Sequence, residues 1–176
     1  VYFRMAVQMS QNWADYHTIP YGKELQAGGR ELPEYFFQPL FKHPPVFSLL
    51  NAWMVHLFGP TLISSVYISL LSGVLAIPLV YLLGRLIFSE LVGLLAAVFM
   101  YLDPVSIMSS QKVWMDSPIA FFTLLSVVFF AYALKTQKDY FYLLTGLAAG
   151  LAMLTKYTGG LILIVYILYA CAYKRN

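Results

Sequence analysis

The chain has 176 residues, of which 60% are hydrophobic and only 11% are charged, and its mean hydropathy is +0.71. Soluble domains are about half apolar and about a quarter charged, so this composition excludes an ordinary water-soluble domain and a disordered chain. The net charge of +3 is too small to indicate a nucleic-acid partner, and the single cysteine, Cys171, cannot build a disulfide framework or a thiolate metal cluster. An integral membrane protein is predicted, because a lipid-facing exterior needs few charges.

Residues 1–60 are predicted to hold the end of a first helix and an extracytoplasmic loop. Between residues 11 and 45 the chain is polar, rich in glycine and proline and without strong helix or strand periodicity, which is typical of a functional loop. The apolar run Val46–Phe58 follows Pro44 and Pro45. As a helix it would extend for roughly 20 Å, which is shorter than the hydrocarbon core, so it is predicted to lie in the membrane interface.

Residues 61–173 are predicted to form five membrane-spanning helices, since each crossing needs about 20 mostly apolar residues, or fewer where protein surrounds it. The predicted crossings are residues 61–83, 87–102, 117–134, 140–154 and 157–173. Gly84 and Arg85 are expected to end the first, and Gly146 and Gly150 have the spacing that lets a neighbouring helix approach the fourth closely. The apolar pattern continues almost to the last residue, so the chain is interpreted as the N-terminal part of a longer protein whose remainder is missing.

The cations indicate how these helices are oriented. If the interface segment does not span, five cations share one face, which the positive-inside rule makes cytoplasmic: Arg85, Lys135, Lys138, Lys174 and Arg175. Asp15 and the loops at about 103–116 and 155–157 then face the opposite, extracytoplasmic compartment. If the segment did span, Asp15 would instead lie on the side opposite Asp116.

Two carboxylates on that outer side are candidate catalytic residues. Asp15 lies between Trp13 and Tyr16, aromatic residues that favour the interface, and it is interpreted as a general base, the alternative being a turn or helix-cap carboxylate. Asp116 stands two residues before Pro118, which suits the first turn of a helix, so its alternative is a helix N-cap. Because the chain has only 8 acidic residues, the pairing of two outer-side carboxylates favours function.

Basic residues near the same side are candidates for binding an anion. Lys156 lies between two predicted crossings, where it must either reach the interface or find an anion, and a lipid phosphate is the natural counter-ion. Lys42 and His43 precede the paired prolines, which restrict the backbone and present both side chains in few orientations. Four further polar residues are interpreted as structural: His17, His56, Asp103 and Glu90.

Five segments in this order resemble the membrane glycosyltransferases that use a polyprenyl-phosphate-linked sugar, the group that includes protein O-mannosyltransferases and the aminoarabinose transferase of lipid A. The segments are Asp15 followed by Tyr21, then KHPPVFSLL, LLGRLIFSELVGLLAA, VWMDSPIAFFTLLS and GLAAGLAMLTKYTGG, and they extend from residue 15 to about residue 168. The resemblance implies a GT-C fold, in which a helix-bearing first external loop packs over the outer membrane face. The expected fold class is therefore an all-α polytopic membrane protein.

The resemblance also implies roles for individual residues. Asp15 corresponds to the catalytic acid of the first loop, Asp116 to the acid that opens a later helix, and His43 to the histidine of the mannosyltransferase version of the motif. Many members carry a second acid directly after the first, and Tyr16 stands at that position here. This departure argues against a two-carboxylate metal site at Asp15 but not against base catalysis by Asp15. No cofactor is required by the pattern, and participation of a divalent metal ion is left open.

Such a donor implies an inverting sugar transfer at the extracytoplasmic face. Asp15 would take the proton from an acceptor hydroxyl on a protein, glycan or lipid, and Asp116 would orient the acceptor or the cations, with no covalent sugar intermediate. The leaving lipid phosphate would be stabilised by cationic groups: Lys156, Lys42, His43 and Arg30. Membrane lipids are the other expected partners.

Two other classes of function are weighed against sugar transfer. A transporter or flippase of an amphiphilic lipid-linked substrate would also use boundary charges and glycine-bearing helices, but it should carry polar groups in mid-helix and a cavity that reaches both sides. In this sequence the acids stay at the outer rim of the helices. A non-catalytic membrane scaffold would keep its activity if Asp15 were replaced by asparagine.

Overall fold

The computed structural model of the protein describes residues 1–38 and 43–173, and within these two ranges the chain is helical and has no β-strand. The α-helices found there are α1 Tyr2–Gln11, α2 Ile19–Ala27, α3 Val46–Phe58, α4 Leu62–Ile87, α5 Glu90–Leu102, α6 Pro104–Ser110, α7 Asp116–Thr136, α8 Asp139–Thr155 and α9 Leu161–Tyr173. Two short 3₁₀ helices add Glu34–Phe37 and Tyr157–Gly160. The predicted all-α fold class is confirmed.

Two of these helices, α4 and α7, are long and apolar enough to cross a membrane, with 26 and 21 residues. Helices α5 and α6 pass the same test together but are bent by 61° at the break between them. Among the described residues the length test therefore finds up to three spans rather than five. The last two predicted crossings form α8, with 17 residues, and α9, with 13 residues after a 3₁₀ turn. Membrane crossing by α8 and α9 therefore remains a prediction. Because α4 and α7 are long and apolar enough to span, the chain is an integral membrane protein.

Helix α4 continues past Gly84 and Arg85, the predicted end of the first crossing, as far as Ile87. Gly84 faces Gly93 of α5, and a Cβ atom placed on Gly84 would lie 2.7 Å from the Gly93 Cα. The glycine is therefore a close-packing residue between two helices and does not terminate α4. Helix α5 begins at Glu90, where the Ser89 hydroxyl accepts a hydrogen bond from the Val92 amide.

Within the described part of the chain no neighbouring helix approaches Gly146 or Gly150 closely, so the expectation of a close neighbour there stays a prediction. A Cβ atom on either glycine would meet nothing within 4 Å. The close approach to α8 occurs instead at Gly159 of the following 3₁₀ turn, where a Cβ atom would lie 2.4 Å from the Ala152 carbonyl. Spacing identifies a smooth helix face, but only packing decides which face meets a neighbour.

Replacing Gly93 with alanine should destabilise the protein by about 1–3 kcal/mol, because an added methyl group overpacks a closed contact. The new Cβ atom would lie 2.5 Å from the Tyr81 carbonyl oxygen. The matched control is Gly146→Ala, which meets open space and should hold or raise stability, since alanine favours helix over glycine by about 1 kcal/mol. Thermal unfolding of the full-length protein in detergent measures both effects, and equal losses would contradict the proposed packing.

The two long helices run parallel. Near their starts, the Ser69 hydroxyl of α4 donates a hydrogen bond of 2.8 Å to the Trp114 carbonyl just before α7. Near their ends, Arg85 of α4 and Lys135 of α7 line the same cavity. The bundle therefore has one end at which α4 and α7 begin and another at which both finish.

The N-terminal region packs on the end of the bundle where α7 begins. Helix α1 contacts α3 through a buried cluster of Met5, Met9 and Ala52. Helix α3 in turn contributes Phe47 to a second buried cluster with Met115, the residue before α7. The N-terminal region, which includes the predicted first loop, therefore packs against the start of α7.

The polar stretch from 11 to 45 contains a helix that periodicity alone did not predict. Helix α2 has Pro20 in its first turn and is followed by Gly28 as its C-cap, in agreement with the asymmetry that places proline at helix starts and glycine at helix ends. Arg4 of α1 and Glu24 of α2 form an ion pair of 3.3 Å that ties α2 to α1. A helix-bearing first loop is what the family resemblance implied.

Candidate functional site

An ion pair joins the start of α7 to the end of α8. Lys156 Nζ lies 3.0 Å from Asp116 Oδ1, and the two side chains are 36% and 50% exposed. Asp116 is the first residue of α7, while the N-cap position belongs to Met115 and carries no side-chain hydrogen bond. The alternative interpretation of Asp116 as an N-cap is therefore wrong. Its carboxylate lies in the first turn, where a helix favours negative charge, and it accepts a hydrogen bond from the lysine.

Asp116 borders a cavity that opens between four helices. This cavity, of about 210 Å³, lies between α4, α5, α6 and α7. A second cavity of about 420 Å³ adjoins it and shares Gly73, Met100 and Ser106, and its other lining residues include Leu70 and Ile77. A charged group thus stands at one end of a mostly apolar space, which is an arrangement that suits an amphiphilic ligand.

Two tyrosines and His43 lie beside this ion pair. The Tyr2 hydroxyl donates a hydrogen bond of 3.7 Å to Met115 Sδ and interacts electrostatically with Asp116. The Tyr2 and His43 ring centroids are 6.1 Å apart, and the Tyr16 hydroxyl donates a hydrogen bond to the His43 carbonyl. His43 is thus held at the same end of the bundle as Asp116.

Tyr16 is a member of this group that the sequence did not single out for a role in the site. Burial raises the pKa of Tyr16 above its ordinary value. Tyr16 therefore remains a neutral hydrogen-bond donor at physiological pH. The only signal in the sequence was its position directly after Asp15, where related proteins carry an acid.

Asp15 lies in the turn that follows α1. Its amide donates a hydrogen bond of 3.0 Å to the Asn12 carbonyl, and its carboxylate accepts one of 3.0 Å from Asn12 Nδ2. Gln8 Nε2 donates to the Asp15 carbonyl at 3.0 Å. Asp15 is partly buried. It directly precedes Tyr16, which belongs to the group around His43. The turn that the sequence offered as an alternative is present, with one carboxylate oxygen engaged by Asn12.

The predicted phosphate-binding residues do not all come together. Lys156 and His43 lie at the end of the bundle that carries Asp116, as described above. Arg30 is exposed and follows α2, where its amide donates to the Leu25 carbonyl at 3.2 Å. Lys42 lies outside the described residues. In the ranges that the structure describes, no three His, Cys, Asp or Glu side chains gather into a set that could hold a metal ion.

Three of the residues interpreted as structural have local structural contacts or positions: Asp103, Glu90 and His17. The Asp103 carboxylate caps α6 by accepting a 2.7 Å hydrogen bond from the Ser106 amide. It is thus a helix cap between α5 and α6. Glu90 opens α5 as expected, and Gln8 Nε2 donates a hydrogen bond of 3.3 Å to His17 Nδ1.

Comparison with known protein families gives a match. The family model for dolichyl-phosphate-mannose-protein mannosyltransferases matches residues 42–176. The matched region contains both Asp116 and Lys156 and begins after Asp15 and Arg30. No curated protein and no solved structure matches the chain significantly. Because the family model covers well over half of the chain, this protein belongs to the dolichyl-phosphate-mannose-protein mannosyltransferase family.

Proposed function

We propose that this chain is part of an inverting glycosyltransferase that moves a sugar from a polyprenyl-phosphate donor to an acceptor on the extracytoplasmic face. Family membership supports glycosyl transfer of the mannosyltransferase type. The observation that carries the proposal for the site is the ion pair between Lys156 and Asp116 at the edge of an apolar cavity. A donor with a phosphate and a long apolar chain has both of the features that this surface complements.

Lys156 is proposed to bind the donor phosphate. An ion pair this exposed contributes about 0–1 kcal/mol, so an arriving phosphate can replace the carboxylate as the partner of the lysine at small cost. When the bond between the anomeric carbon and the phosphate oxygen breaks, negative charge accumulates on the leaving phosphate. The ammonium group of Lys156 stabilises that charge as it develops. The prenyl chain is proposed to follow the cavities between α4, α5 and α6.

Asp15 is proposed to act as the general base. Its carboxylate takes the proton from the acceptor hydroxyl while the hydroxyl oxygen forms a new bond to the anomeric carbon. The attack comes from the ring face opposite the phosphate, so the configuration inverts and no sugar becomes attached to the enzyme. Asp116 is a positioning residue in this scheme, since it holds Lys156 Nζ before the donor arrives.

The extracytoplasmic location is proposed from charge. Arg85 and Lys135 lie at the end of the bundle where α4 and α7 finish, and Lys138 lies in the short connection from α7 to α8. Cytoplasmic loops carry an excess of lysine and arginine. The opposite end of the bundle, which carries Asp116 and Lys156, is therefore assigned to the outer face.

The proposal is tested by incubating the full-length protein in membranes with radiolabelled polyprenyl-phosphate mannose. Transfer of label from the lipid to a protein, glycan or lipid acceptor is the expected result. An inverted anomeric configuration in the glycosylated acceptor, read by NMR of the product, supports the single-displacement step. Movement of the intact lipid-linked sugar between leaflets without transfer would instead indicate a flippase.

A further inference from the structure

The end of the bundle remote from Asp116 carries a second charged cavity. Arg85 and Lys135 line one cavity of about 500 Å³ together with Tyr132 and Thr136. Both cations occupy the last turn of their helices. Lys135 is 19 residues along α7 from Asp116, which corresponds to about 28 Å of helix. The cavity is therefore separate from the candidate site for sugar transfer.

Neither of these two cations forms an ion pair within the described part of the chain. The ion pairs found there join Arg4 to Glu24 and Lys156 to Asp116. Two acids lie at the same end of the bundle. Glu90 accepts a hydrogen bond of 3.4 Å from the Tyr81 hydroxyl, and Asp139 occupies the first turn of α8. Helix dipoles favour a cation at each C-terminus, but two cations that face one cavity repel each other unless an anion lies between them.

An apolar groove adjoins the charged cavity. It has a volume of about 460 Å³, shares Leu86 and Lys135 with the charged cavity, and is otherwise lined by Ile87, Val127, Phe130, Ala131 and Leu134. The groove extends from Lys135 back to Val127, which is eight residues, or about 12 Å, towards the middle of α7. A cationic cavity at the helix ends thus continues into an apolar groove that runs towards the membrane centre.

We propose that these joined cavities bind one anionic phospholipid, with its phosphate between Arg85 and Lys135 and an acyl chain along the apolar groove. The guanidinium of Arg85 can donate two parallel hydrogen bonds to phosphate oxygens, and the ammonium of Lys135 supplies a compact charge. Basic pockets between membrane helices are suited to such headgroups. The site lies in the leaflet opposite the proposed donor site, and it does not depend on the proposed activity.

Lipid binding to the full-length protein in detergent, followed by native mass spectrometry, tests the site. Dioleoylphosphatidylglycerol should bind more tightly than dioleoylphosphatidylcholine. Arg85→Gln and Lys135→Gln should each weaken phosphatidylglycerol binding about fivefold, whereas Lys135→Arg should retain it. The matched control is Lys138→Gln, which removes a cation from the same face but not from the cavity and should leave the affinity unchanged.

Two further measurements distinguish binding of a lipid from binding of a soluble phosphate, and neither depends on losing the folded protein. Ala131→Trp fills the apolar groove and should weaken phosphatidylglycerol binding while both cations remain. Inorganic phosphate that competes as well as the lipid, together with an unchanged affinity in Ala131→Trp, would overturn the assignment of a lipid. Equal losses in Lys138→Gln and Lys135→Gln would overturn the site itself, and size-exclusion chromatography excludes variants that do not fold.

Discussion

Replacing Lys156 with methionine is expected to lower kcat/KM for sugar transfer by about 10²–10³-fold, the loss found when a group that stabilises developing negative charge is removed. The unfolding temperature should change little, because the Lys156 and Asp116 side chains are 36% and 50% exposed and an ion pair of this exposure contributes about 0–1 kcal/mol. Transfer from radiolabelled polyprenyl-phosphate mannose and thermal unfolding in detergent measure the two quantities. A large loss of activity at unchanged stability separates a functional ion pair from a structural one.

The same pair allows a double-mutant test. If Asp116 acts through Lys156, then Asp116→Asn combined with Lys156→Met should be no worse than Lys156→Met alone, because residues that act as a unit are not additive. The matched control is Glu24→Gln, which breaks the comparably exposed pair between Arg4 and Glu24 away from the cavity and should leave transfer unchanged. Additive losses would assign Asp116 an independent role, and full activity in Lys156→Met would remove the lysine from the mechanism.

Replacing Asp15 with asparagine is expected to lower kcat by about 10²–10⁴-fold, the usual contribution of a general base. Asparagine keeps an oxygen that can accept the hydrogen bond from Asn12, so the turn after α1 should survive. The loss should therefore occur in kcat with little change in the unfolding temperature. Single-turnover transfer at saturating donor measures the chemical step.

The control for Asp15 is Asp103→Asn, which changes a carboxylate that caps α6. Asparagine is as good a helix cap as aspartate, so both stability and transfer should persist. Unaffected transfer in Asp15→Asn would exclude Asp15 as the base. A loss of transfer that parallels a loss of folded protein would assign Asp15 to the turn alone.

The helices were the part of the fold that the sequence predicted best. Helix α3 has the predicted bounds, because Pro45 precedes it and Gly59, with a φ of 86° that favours glycine, follows it. The helix ends in the bundle were less predictable. Glycine is common at helix ends, but Gly84 lies within α4, where it packs closely against Gly93 of α5.

The sequence predicted which residues could form the candidate site, but not how those residues are arranged in space. Asp116 and Lys156 are 40 positions apart, and the sequence placed both on the outer side without indicating that they touch. The grouping of Tyr2 and Tyr16 with His43 depends on how α1 packs against α3. Arg30 carries the same charge as Lys156 but lies on the exposed stretch after α2, which no local pattern could reveal.

The sequence alone determined the membrane environment, the all-helical class and the family, because hydropathy, segment length and motif order are properties of the chain itself. Only the tertiary structure decided which polar groups share a site. In a bundle, the contacts of a side chain depend on which face of its helix meets a neighbour, and this is set by close packing between distant segments. Gly146 and Gly159 illustrate the point, since the first meets open space and the second closes against Ala152.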